Sequence, residues 1–189
     1  MQRVIASTSI SLDGYSTGPN VGSDNPMGDG GSRLHEWIFQ PDEDREVVEF
    51  SSEGAVIVGR RMFDLGEKPW GDNPPFHLPI FVLTHAPRET LVKEGGTTFT
   101  FVSDGIESAL KQAREAAGDK DVAIGGGAST VQQYLRAGLV DELQLHVLPV
   151  IFSGGTRFFE AANGKPVELE RLKVMVSRRV THLWFRVIK

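Results

Sequence analysis

The chain has 189 residues, 40% of them apolar, with 25 acidic against 20 basic side chains and no cysteine. That is apolar material for one full core, and no stretch approaches the roughly 18 to 20 consecutive apolar residues of a membrane span. A net charge of −5 with scattered basic residues argues against a nucleic-acid surface, and the missing cysteines exclude disulfides, thiolate metal sites and cysteine nucleophiles.

Val4 to Ile10 opens as a short apolar-rich strand, and Met1 to Ile10 lacks the long apolar core of a secretory signal. With the absent thiols, this fits a reducing cytosol, so a cytoplasmic chain is expected. Ser11-Leu12-Asp13-Gly14-Tyr15 follows, then a loop from Gly18 to Ser32 in which five of fifteen residues are glycine. A loop this long inside a compact domain is usually a functional lid or disordered. Asp42 to Ser52 reads as a helix with an acidic first turn. Ala55-Val56-Ile57-Val58-Gly59 and Ile80-Phe81-Val82-Leu83-Thr84 are short continuous apolar runs that suit central parallel strands. The segment between them holds Pro69, Pro74, Pro75 and Pro79 and is expected to be an extended surface loop.

Thr98 to Val102 gives another strand. Asp104 and Glu107 stand in capping-box spacing before a helix that Gly118 closes. Asp121 to Ile124 is the next strand, ended by Gly125-Gly126-Gly127. Ser129 or Thr130 is expected to cap a helix through Ala137, closed by Gly138. Leu143 to Ile151, Lys173 to Arg178 and Val180 to Ile188 read as closing strands, the last two antiparallel. With no internal repeat, the pattern describes a single-domain α/β fold, a mixed and mainly parallel sheet flanked by helices.

Three junctions after buried strands carry possible chemistry. In Ile124-Gly125-Gly126-Gly127-Ala128-Ser129-Thr130, glycines admit a phosphate to the N–H groups of a helix start, and a hydroxyl can add a donor. A tight turn explains the same residues, because neither the dinucleotide fingerprint nor a Walker loop is complete. Gly59-Arg60-Arg61 places two guanidiniums at the carboxyl edge of a parallel strand, suited to a phosphate monoester or to solvent alone. Thr84-His85 offers a hydroxyl and an imidazole, or a plain turn. Their convergence on one sheet edge predicts one ligand crossing it. The five histidines, His35, His77, His85, His146 and His182, show no ligand spacing, so no metal site is expected.

In chain order, Ser11-Leu12-Asp13-Gly14, Val56-Ile57-Val58-Gly59-Arg60, Val82-Leu83-Thr84 and Ile124-Gly125-Gly126-Gly127 resemble the dihydrofolate reductase superfamily. Ser-Leu-Asp-Gly together with Ala137-Gly138-Leu139-Val140-Asp141-Glu142-Leu143 and Pro149 looks closest to the reductase domain of riboflavin biosynthesis. The resemblance implies a dihydrofolate-reductase-like fold that binds NADPH. Gly59, Arg60 and Arg61 would hold the phosphates, with Thr84 and His85 nearby, and Gly126, Gly127, Ala128, Ser129 and Thr130 would cradle the pyrophosphate. Ala6 and Ile10, with the Asp13-Gly14 turn, would line the nicotinamide half, and the Gly18 to Ser32 loop would close over the site. The resemblance departs at two places. Riboflavin-pathway reductases usually carry a glutamate where this chain has Gly125, and the pterin-binding carboxylate of dihydrofolate reductases aligns with Leu34.

The expected chemistry is hydride transfer from the cofactor to a small heterocyclic or carbonyl substrate, such as a pterin or aminopyrimidine. Asp13 is the first candidate for a polar contact to substrate or water, with turn-capping beside Gly14 as its alternative role. His35 and Glu36 are candidates for proton delivery. A riboflavin- or folate-pathway reductase proper, or a non-catalytic nucleotide-binding protein keeping the fold, are the alternatives. No nucleic acid or membrane partner is expected; a homodimer is, with a face of the Leu143 to Ile151 strand paired across a two-fold axis.

Overall fold

The computed structural model describes residues 2–39, 44, 47, 53–160 and 166–189. Nearly all of the helix expected over Asp42 to Ser52 lies outside the described residues. The chain divides into two compact units, Met1–Ala6 with Ser52–Val140, and Ser7–Ser51 with Asp141–Lys189.

The first strand, β1 (Val4–Ser11), is divided between the units. In the first unit follow β2 (Glu53–Gly59), α2 (Arg60–Trp70), β3 (Pro79–Leu83), β4 (Leu91–Val92), β5 (Thr98–Val102), α3 (Ile106–Ala117), β6 (Asp121–Gly126) and α4 (Ala128–Arg136). Its strands run β4-β5-β3-β2-β6-β1. All pairs are parallel except β4 with β5. In the second unit a 3-10 turn over Gly31–His35 leads into α1 (Glu36–Phe39), and β7 (Glu142–Leu148), β8 (Leu169–Val176) and β9 (Thr181–Val187) continue the order as β1-β7-β9-β8. There β9 is antiparallel to both β7 and β8. The expected α/β class, with a mainly parallel sheet and flanking helices, is the one found.

The apolar runs became central strands because both their faces are covered. Ile57, Val82 and Ile124 are fully buried, with α3 against β2, β3 and β6. Phe63 of α2 is fully buried and meets Phe99 and Phe101 edge-on, both at 5.0 Å between ring centres. Truncating such a buried ring to alanine costs about 3–5 kcal/mol.

Three expectations are corrected. The segment after Gly59 is a helix, α2, not a loop: Phe63, Gly66 and Trp70 recur at helical spacing on its core side. Pro69 stands in the last turn of α2, one residue before its end at Trp70. The capping box at Asp104 does not form; Gly105 is the N-cap of α3, one residue later, so Glu107 sits one position too early to reach back. Neither Ser129 nor Thr130 caps α4, which starts at Ala128 behind Gly127. The Gly18 to Ser32 segment is bonded to itself: Gly18 N donates to the Met27 carbonyl (2.9 Å), and the Asn20 and Asn25 amides both donate to the Asp29 carboxylate (2.6 and 2.8 Å).

Candidate functional site

In the order β3-β2-β6 the three junctions singled out in the sequence fall side by side at the carboxyl ends of parallel strands. Two of them run straight into helices, Gly59 into α2 and Gly127 into α4, and neither helix has a side-chain cap. The first N–H groups of each helix therefore lack a helical partner and sit at the positive end of a dipole. At α4 the Thr130 and Val131 N–H groups turn back to the Gly127 carbonyl (3.0 and 3.2 Å).

The glycines have separate roles. A side chain at Gly59 would collide with the Thr130 hydroxyl, so Gly59 lets α4 approach the end of β2. This also explains why Thr130 is buried, at 3% exposure. Gly126 has φ +125°, a backbone conformation that side chains resist, and a Cβ there would press on the Met62 sulfur at 3.1 Å. Gly127 is different: it is exposed, its φ of −70° is ordinary, and an added Cβ would meet nothing within 4 Å. It leaves an open cradle in front of the helix. Ala128 is buried, and Ser129 is exposed beside that opening.

Arg60 is held in place. Its Nε pairs with Asp64 (2.7 Å), and one terminal nitrogen donates to Thr84 Oγ1 (3.3 Å) and the Ala86 carbonyl (3.2 Å). Thr84 is itself buried and closes a turn by accepting from Ala86 N at 3.0 Å. Arg61 and His85 are exposed, and no hydrogen bond or ion pair engages either among the described residues. Ala6 is fully buried in β1, its backbone in register with Ile124 of β6.

The remaining candidates belong to the second unit. The Asp13 carboxylate accepts from the Ser11 hydroxyl (2.6 Å), Phe152 N (3.2 Å) and Ser153 N (2.8 Å). The Ser11 bond, against slight desolvation and helped by the two backbone donors, holds the Asp13 carboxyl below its usual range. These contacts match its alternative role, with Gly14 at φ +84° completing the turn. Ile10 is buried. Burial pushes the His35 imidazole below its ordinary value. Glu36 is exposed and lines a cavity of about 190 Å³ with Arg33, Trp37, Leu148, Arg178 and Arg179.

A buried polar chain in this unit escaped the sequence reading. Asp44 Oδ1 lies 3.0 Å from His182 Nε2, His182 Nδ1 lies 2.7 Å from His146 Nδ1, and His146 Nε2 lies 3.1 Å from Ser7 Oγ. Trp37 packs on both imidazoles, at 4.7 and 4.9 Å between ring centres, and donates its indole N–H to Ser9 Oγ at 3.0 Å. The histidines are cross-strand partners in the register of β7 with β9. A search for ligand spacing along one helix or turn does not reveal that pairing. A histidine at an inward position of each of two alternating strands was the available signal.

The family description "RibD C-terminal domain" matches residues 2–183. The uncharacterized protein YyaP of Bacillus subtilis (strain 168) is 26% identical over 165 residues, which is 84% of this chain and 80% of that one. A crystal structure from Shewanella sp. PV-4, named for riboflavin biosynthesis, superposes with a TM-score of 0.75 at 21% identity over the whole of both chains. Dihydrofolate reductase from Enterococcus faecalis, complexed with NADP(H), gives a TM-score of 0.63 at 17% identity, over 99% of this chain and 97% of that one. These structures share the fold.

Proposed function

The chain belongs to the RibD C-terminal domain family, and from that membership we propose that it is an NADPH-dependent reductase of the cytoplasm. Its substrate on this reading is a small heterocycle or carbonyl compound of the pterin or aminopyrimidine kind. One observation carries the reading: two uncapped helix N-termini and an exposed arginine stand at the ends of the adjacent parallel strands β2 and β6. That edge is where open parallel sheets take up nucleotides.

The residues present fit the cofactor's phosphates. Gly127 leaves the space, the N–H groups at the start of α4 supply donors, and Ser129 adds a hydroxyl. Arg61, not Arg60, whose Nε and one terminal nitrogen are already engaged, is the guanidinium available to a 2′-phosphate. Arg60 instead ties the end of β2 to Thr84. When bound, the cofactor would supply hydride from its nicotinamide ring. The chain's part is to orient that ring, admit the substrate and exclude water. Asp13, held by three donors, fixes its loop on this reading, and Glu36, which lines the cavity with Trp37, is the proton-handling candidate. We further infer a homodimer.

Titration of the chain with NADPH and NADH, followed by the loss of reduced-nicotinamide absorbance with candidate pterins and aminopyrimidines, tests the reading. Failure to bind NADPH at millimolar concentration overturns it. Binding without turnover of any such compound moves the assignment to a nucleotide-binding protein.

A further inference from the structure

The cavity of the second unit gathers positive charge in a chain whose net charge is −5. Among the described residues its lining carries three guanidiniums, Arg33, Arg178 and Arg179, against one carboxylate, Glu36. The arginines come from two places far apart in sequence, the 3-10 turn Gly31–His35 and the turn that joins β8 to β9. Like charges drawn onto one concave surface repel each other, and an anion seated among them relieves that repulsion.

The backbone that carries these arginines is fixed. Ser177 N donates to the Val180 carbonyl at 2.9 Å, and Ser177 Oγ accepts from Arg179 N at 3.3 Å and Val180 N at 3.1 Å. Val180 is buried in one cluster with Leu34, Trp37 and Leu148, which ties the β8–β9 turn to the segment bearing Arg33 and Glu36. The two sources of positive charge are therefore set before a ligand arrives, which lowers the ordering cost of binding. The rest of the lining is apolar: Trp37, Leu148, Pro149 and Val150. The volume of about 190 Å³ lies below the roughly 300 Å³ at which ligand clefts usually begin. It lies just above the roughly 150 Å³ that holds one benzene ring. A nucleotide is too large for it, and a bare anion leaves the apolar wall unused.

We propose that this cavity binds a planar ring compound carrying a single carboxylate, held by the arginines while its ring lies against the apolar wall. The guanidinium's planar fork matches a carboxylate with two parallel N–H···O bonds, and its flat face also stacks on a ring. Glu36 limits the charge that the cavity accepts. A second anionic group on the ring would meet that carboxylate, so a monocarboxylate is favoured over a dicarboxylate. The proposal concerns the second unit alone and does not depend on the reductase reading.

The test is titration of the 15N-labelled full chain with benzoate and with benzamide, followed on the arginine side-chain N–H signals by NMR. The two compounds share a shape and differ in charge. Benzoate is expected to bind saturably, to move the signals of the three arginines, and to bind at least about tenfold more tightly than benzamide, the scale of one charge-assisted hydrogen bond. Arg33→Ala and Arg179→Ala should each weaken benzoate by about tenfold with the melting temperature unchanged. Glu36→Gln should raise the affinity for phthalate, a dicarboxylate, more than that for benzoate. Equal binding of benzoate and benzamide to the parent overturns the proposal without any variant, as does saturable benzoate binding that leaves the three arginine signals unmoved. Inorganic phosphate that displaces benzoate at equal concentration overturns the ring requirement and leaves a site for small anions.

Discussion

Arg60 donates to Thr84 Oγ1 at 3.3 Å, which joins the end of β2 to the end of β3 and leaves the neighbouring Arg61 as the exposed guanidinium at that edge. The two arginines therefore separate in a binding experiment. Arg61→Ala is expected to remove most of the preference for NADPH over NADH, a change of about tenfold to a hundredfold, with the melting temperature unchanged. Arg60→Ala is expected to weaken both cofactors alike and to lower stability by about 1 kcal/mol, because it frees Asp64 and Thr84 together. Cofactor titrations of the two variants decide it. A preference carried by Arg60 alone would sink the assignment.

Gly127 gives the cleaner test of the phosphate cradle. Its backbone conformation accepts a side chain and the space is open, so Gly127→Ala should keep the fold. A methyl group there would stand in front of the α4 N–H groups, and NADPH binding should fall by at least an order of magnitude. Gly126→Ala confounds binding with stability, because at φ +125° the backbone resists a side chain by roughly 1–3 kcal/mol. Normal NADPH affinity in a folded Gly127→Ala protein would reduce this run of glycines to a turn.

Much of this architecture was legible because it is local. The apolar runs at Val56–Val58 and Ile80–Leu83 and the glycine-ended strand before α4 declared their places through composition alone. What was hidden depends on partners distant in sequence. Prolines at 69, 74, 75 and 79 masked α2, although Phe63, Gly66 and Trp70 already carried its period. The role of Thr130 could not be read as packing until Gly59 was known to face it. The His146–His182 pair exists through the register of β7 on β9, and its carboxylate comes from Asp44, 138 residues away from His182. The Asp13 carboxylate was visible as a turn residue, but its two backbone donors lie near residue 152.

Acid stability should depend on Asp121. Its carboxylate accepts from Arg3 N at 2.7 Å and from the Arg3 guanidinium at 2.6 Å. Burial works to raise this carboxyl, but the side-chain bond, backbone bond and charge of Arg3 outweigh it, and the net shift is downward. A carboxyl lowered on folding contributes stability that is fully present above its unfolded value near 3.9 and is lost as pH falls through the folded value. Asp121→Asn should therefore cost about 1–2 kcal/mol at pH 7 and show a shallower loss of stability below about pH 4. Melting curves from pH 7 to 2.5 check this. Parallel curves for parent and variant at every pH would refute it.

The homodimer is expected at β8 and not at β7. The sequence pointed to Leu143 to Ile151, but β7 lies between β1 and β9 in the strand order, so both its edges are already used. β8 ends the order and leaves one row of N–H and C=O groups open along eight residues. Leu172, Val174 and Val176 are 41%, 45% and 72% exposed and follow each other at the two-residue spacing of one strand face. A long edge strand with an apolar face is a template for pairing unless it is covered. A second copy of β8 running antiparallel across a two-fold axis would cover edge and face together. Light scattering should then give a mass of about twice 20.7 kDa. Val174→Lys with Val176→Lys places like charges opposite each other across the axis, which disfavours pairing. That variant should be a folded monomer with NADPH affinity intact, since its changes lie in the other compact unit from Arg61 and Gly127. A parent protein that stays monomeric at every concentration would end this assignment, and a dimer that survives both lysines would move the interface away from β8.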